Sequence, residues 1–174
     1  MKKFLLTITA LGLFVLPAYA TQGIREQSKN EIARVEKNST VQAKRNGIIK
    51  IKSNYSVEET VKRFESIAKE RGLNIFGIVN HQAGAESVGL ELRPTQVIIF
   101  GNPRAGTPLM QCNQTAAIDL PQKALIWKDE QGQVWLGYNS PKYLSNRHQL
   151  KGCADKPLEN IGNALKMLAE GATQ

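Results

Sequence analysis

The amino-acid sequence predicts an α+β fold: a mainly antiparallel sheet of about five strands with helices packed on one face, in the order β-α-β4-α. Three observations carry this expectation. Runs rich in Ile and Val recur as short strand-like segments; two of these segments flank the turn Asp129-Glu130-Gln131-Gly132; and long amphipathic helical patterns stand near both ends of the globular region.

Gly47 to Ser53 is rich in β-branched residues and ends in alternation, which predicts the first strand. Ser56-Val57-Glu58-Glu59 forms a capping box, and Val57, Val61, Phe64 and Ala68 recur at helical spacing, with Gly72 placed to end the helix. Leu73 to Asn80 predicts a second strand, His81 to Gly89 a short helix, and Thr95 to Phe100 a buried strand. The stretch Gly101 to Gly106 reads as a loop, followed by a helix that begins at Thr107-Pro108 with Thr107 as its N-cap. Lys123 to Lys128 and Val134 to Tyr138 are the two arms of the hairpin, and Ser140-Pro141 opens another short helix. Leu158, Ile161, Leu165 and Leu168 space a final amphipathic helix, expected to end at Gly171.

Ahead of this region lies a different kind of sequence. Met1-Lys2-Lys3, an apolar run from Phe4 to Leu16 and the small-x-small end Pro17-Ala18-Tyr19-Ala20 predict a secretory signal peptide over residues 1–20. A transmembrane anchor is the competing reading, but Pro17 stops the run short of the about 20 apolar residues a spanning helix needs. The expected location is therefore periplasmic or secreted, with no stable membrane anchor after cleavage. Residues 21–46 predict a polar basic arm or linker, and residues 47–172 a single α+β domain.

The formal charge of +8 suggests nucleic acid or an anionic membrane as a partner, yet its distribution argues otherwise. The excess sits on Lys2 and Lys3 and on the arm and first strand, whereas residues 53–174 are close to neutral. No nucleic-acid partner is expected. Cys112 and Cys153 are the only cysteines and fall in an oxidising compartment. A disulfide between them closes a long loop and contributes about 4 kcal/mol through loop-closure entropy; two separate thiols are the alternative.

Leu92-Arg93-Pro94-Thr95, Phe100-Gly101-Asn102-Pro103, Gly106-Thr107-Pro108-Leu109-Met110, Asp119-Leu120-Pro121, Trp127, Gly132, Tyr143-Leu144 and Arg147-His148 form a set of motifs. Together they resemble the domain-of-unknown-function family 302, over about residues 48–150. The resemblance implies a β-α-β4-α domain whose antiparallel sheet is gripped by helices, and it implies no established activity.

The leading functional expectation is a module that holds a small ligand or a protein partner near Phe100 to Met110, with a homodimer as a further option. Gly101, Asn102, Arg104, Gly106, Thr107 and His81 are its candidate binding residues. The glycine spacing from Gly101 to Gly106 mimics a phosphate loop, but Thr107-Pro108 stands where that loop needs its Lys-Ser/Thr pair. Free amides at that helix start beside Arg104 offer an anion site, set against a plain turn. An enzyme using His81 or His148 as general base is the first alternative, because histidine titrates near working pH. Metal handling through His81, Met110, Cys112 and His148 is the second, although no ligand pair has metal-site spacing. No cofactor is expected. Ala85 to Gly89 resembles a nucleophile elbow only faintly, Asp119, Asp129 and Glu130 are carboxylates suited to turns, and Trp127 and Trp135 suit cross-strand packing better than ligand stacking.

Overall fold

The computed structural model describes residues 47–174 together with Glu26, Gln27, Lys29 and Asn30, which are helical and exposed. The expected signal peptide and most of the expected arm lie outside the described residues.

Five strands, β1 (Ile48–Ser53), β2 (Asn74–Asn80), β3 (Thr95–Gly101), β4 (Gln122–Lys128) and β5 (Val134–Asn139), form one sheet in the order β1-β5-β4-β3-β2. Every pairing is antiparallel. After β1 the chain crosses to the far edge through α1 (Val57–Glu70), then returns strand by strand until β5 lies against β1. Short helices α2 (His81–Glu86), α3 (Pro103–Cys112) and α4 (Pro141–Arg147) and a 3-10 turn at Gln114–Asp119 fill the connections, and α5 (Asp155–Thr173) ends the fold.

The period of two in the strands places one apolar row against α1 and α5. Ile98 and Phe100 on β3, Ala124 and Ile126 on β4, and Leu136 and Tyr138 on β5 form the sheet side of the core. Val57, Val61, Phe64 and Ala68 of α1 and Leu158, Ile161, Leu165 and Leu168 of α5 form the helical side. The Phe64 and Phe100 rings meet edge to face, 4.8 Å between centroids. Each fully buried Leu, Ile or Phe here contributes about 1.5–3 kcal/mol of transfer free energy. On the opposite face Trp127 stacks on Trp135, and Lys50 lies 4.4 Å from the Trp135 ring centroid.

Helix α1 starts as expected: the Ser56 hydroxyl accepts from the Glu59 amide, and Gly72 takes a positive φ just past the Arg71 cap. Two expected boundaries are corrected. Helix α3 begins at Pro103 rather than Thr107, and α5 continues through Gly171 to Thr173. Gly171 is a packing residue: a Cβ there would lie 2.9 Å from Ile67 Cδ1, so glycine lets α5 approach α1. Arg63 of α1 then donates to the carbonyls of Gly171, Ala172 and Gln174, satisfying the last turn that helix geometry leaves open.

Candidate functional site

The start of α3 sets the geometry of the site. Asn102 is extended at φ −136°, and its Oδ1 accepts from the Arg104 amide at 2.9 Å, which makes Asn102 the N-cap with Pro103 at the first helical position. Gly101 to Gly106 is therefore no phosphate-type loop, and Thr107 is not a cap but an exposed residue within the helix, one position before Pro108. The Asn102-Pro103 pair carried the correct helix-start signal; the glycine spacing masked it.

Between this helix, α5 and the ends of β2, β3 and β4 lies a cavity of about 400 Å³, within the usual range for small-molecule sites. Leu73, Phe76 and Phe100 come from the strand side, Ala105, Gly106, Thr107 and Met110 from α3, Leu120, Pro121 and Gln122 from the entry to β4, and Ile161, Ala164, Leu165 and Leu168 from α5. No lining side chain carries a charge. A Cβ on Gly106 would meet Leu120 Cδ1 at 3.4 Å, and one on Gly101 would meet Pro121 Cβ at 3.6 Å, both ordinary contacts that the wall would tolerate.

Gln122 breaks the rule of its neighbours. It opens β4 in the same helix-facing row as Ala124 and Ile126, opposite Phe100, and is 7% exposed. Neither its Oε1 nor its Nε2 has a hydrogen-bond partner. A buried amide left unsatisfied costs free energy that an apolar side chain of similar shape would avoid.

Of the candidate binding residues, Gly101, Asn102, Gly106 and Thr107 line the cavity, together with Met110. Arg104 and His81 are exposed and stand outside the lining. Gln122 was missed by sequence reasoning. Its placement in an otherwise apolar alternating row, Gln122-x-Ala124-x-Ile126, was the available signal.

The remaining candidates meet elsewhere, in a fastened region where residues 112–120 are tied to residues 148–153. Cys112 and Cys153 are joined as a disulfide with Cα atoms 6.0 Å apart, so Cys112 is not a metal ligand. His148 is 4% exposed; its Nε2 lies 2.6 Å from Asp119 Oδ2 and its Nδ1 3.2 Å from Thr115 Oγ1. The Asn113 side-chain amide donates to the His148 carbonyl at 2.9 Å, and Arg147 lies 3.5 Å from Asp119. Both ring nitrogens of His148 are thus engaged in holding the 3-10 turn against the end of α4. Among the described residues no group of three or more His, Cys, Asp or Glu side chains is placed to hold a metal ion.

The other motifs are structural. The Ser87 hydroxyl donates to the Gly84 carbonyl at 2.7 Å. Trp135 Nε1 donates to Asp129 Oδ2 at 2.7 Å, and this bond above all holds the Asp129 carboxyl below its ordinary range. Burial pushes the Tyr138 hydroxyl up to about 12.

An open antiparallel sheet with β-α-β4-α order, covered by α1 and α5 and holding an apolar cavity at one end, defines an α+β domain of the sheet-and-helix-grip kind. Residues 49–168 match the family described as "Domain of unknown function DUF302", and the chain belongs to that family. The match runs past residue 150 and takes in most of α5. A crystal structure of a conserved DUF302 protein from Bacillus stearothermophilus has the same fold, with a TM-score of 0.66 at 16% identity, covering 74% of this chain and 99% of that one. The chain is also 49% identical over 104 residues to "Fluoride-specific ion channel FluC 1" of Brucella suis biovar 1 (strain 1330), covering 60% of this chain and 41% of that protein. The protein of the same name in Brucella abortus biovar 1 (strain 9-941) is 49% identical over 104 residues, 38% of its length. The chain thus spans about two fifths of the length of these curated relatives.

Proposed function

We propose that this domain is an exported binding module that takes up a small, uncharged, largely apolar molecule in the cavity between α3 and α5. The observation that carries the reading is the cavity itself: about 400 Å³, walled mostly by apolar side chains with Asn102, Thr107, Gln122 and Asn160 as its polar ones, and with no charged residue in its lining. Export is supported by the signal-like N-terminus and by the disulfide, a bond that persists in oxidising compartments. An anionic ligand fits less well, because Arg104 lies outside the lining. The fluoride chemistry named for the Brucella relatives is not carried over: the cavity wall offers no charge to a halide, and among the described residues no helix is long and apolar enough to cross a membrane.

The test uses N-phenyl-1-naphthylamine, a neutral apolar fluorophore. Its emission rises on mixing with the full chain, and Ala164→Phe, which fills the cavity from α5, abolishes the rise while circular dichroism stays unchanged. No enhancement, or enhancement untouched by the substitution, overturns the reading.

A further inference from the structure

We infer that Gln122 is the polar anchor of the cavity and that the ligand is a neutral molecule with an apolar body and one amide-like head, such as a carboxamide, lactam, urea or protonated carboxylic acid. The inference rests on the cavity being a binding site and goes beyond it by naming the ligand class.

Gln122 lines the cavity, and its side-chain amide carries a donor and an acceptor in one plane, both buried and both without a partner in the protein. The neighbours leave little to satisfy them. Phe100 stands directly across the strand pair, Pro121 precedes it, and the Lys123 ammonium is already committed to the carbonyls of Asp119 and Pro121. The other polar side chains of the lining are Asn102, Thr107 and Asn160, and none of them hydrogen-bonds the Gln122 amide. An ester or ketone satisfies only the donor. A carboxylate also satisfies only the donor and brings a charge into a wall that has no countercharge. A planar group that both donates and accepts satisfies the two atoms together, and the apolar remainder fills the space beside Met110 and Leu165.

The experiment compares octanamide with methyl octanoate, which share their alkyl chain and differ in the donor, by calorimetry on the full chain and on Gln122→Met. Wild type binds octanamide about ten-fold more tightly, the gap expected from one satisfied buried polar group, and Gln122→Met binds the two alike. The Gln122 side-chain NH2 resonances of the wild type move on octanamide addition, a readout that does not depend on the variant folding. Equal affinities in the wild type, a preference kept by Gln122→Met, or unmoved NH2 resonances overturn the anchor. If N-phenyl-1-naphthylamine binds while octanamide shows no advantage, only the anchor falls. If no probe binds, the cavity reading falls with it.

Discussion

His148 and Gln122 are buried to nearly the same degree, 4% and 7% exposed, and the fold treats them in opposite ways. Around His148 every polar atom is engaged: the ring bridges Asp119 and Thr115, its carbonyl accepts from Asn113, and the Cys112–Cys153 disulfide closes the same junction. At Gln122, on the neighbouring wall, a donor and an acceptor are buried with nothing to meet them. Buried polarity in this domain therefore comes in two kinds, one satisfied within the chain and one not. A satisfied network fixes one arrangement of the chain. The unsatisfied group beside the cavity is the one that the proposed ligand would complete, in keeping with the tendency of sequences to depart from local consistency mainly at functional sites.

The contrast can be broken from either side. The largest effect belongs to the disulfide: Cys112→Ser with Cys153→Ser frees a loop of sequence separation 41 and lowers the unfolding free energy by about 4 kcal/mol, read by urea denaturation. His148→Leu comes next, at about 2 kcal/mol, since it takes one hydrogen-bond partner each from the side chains of Asp119 and Thr115, which keep only Arg147 and Asn113. A loss under about 0.5 kcal/mol would show that the network is ornamental and remove one half of the comparison. Gln122→Met has the opposite sign: without ligand the variant is more stable by about 1 kcal/mol, because the apolar chain removes the unsatisfied amide. Destabilisation by Gln122→Met would mean that the amide has a structural partner after all.

The smallest effect lies outside both regions, at the hairpin, where Asp129 accepts from the Trp135 indole. Its carboxyl titrates lower in the folded chain than in the unfolded one, so its stabilisation is complete above the ordinary carboxylate range and disappears as pH falls through the lowered value. Tryptophan fluorescence of the folded protein shifts over that acid range, and Asp129→Asn removes the transition. A transition kept by the variant assigns it to another carboxylate.

Most of the sheet was legible because strand signals are local: β-branched runs, a two-residue period and turn residues in Asp129 to Gly132. The first helix was legible from its capping box for the same reason. Errors arose where one residue type serves two purposes. Glycine at 171 resembles a terminator, yet it answers to Ile67 on another helix, information that no local pattern holds. Gly101 and Gly106 resemble a phosphate loop, whereas they flank the Asn102 cap and face Pro121 and Leu120 across the cavity wall. The surroundings of the site were partly legible, since Gly101, Asn102, Gly106 and Thr107 do line the cavity. Gln122 was not, because the trace it leaves, a polar residue in the apolar row of Ala124 and Ile126, does not say whether the fold supplies it a partner.

The strand order also fixes a timetable. Strands β2 to β5 each find their strand neighbours a short distance along the chain, so they close with modest loop entropy. Strand β1 is the exception among the strands, because Ile48 is matched with Asn139 and Ser53 with Val134, and α1 is tied just as far along the chain through Arg63 to the end of α5. The first strand and first long helix of the domain to be synthesised must both wait for nearly the last elements, so the two ends of the domain are joined by long-range closures, the kind that slows folding.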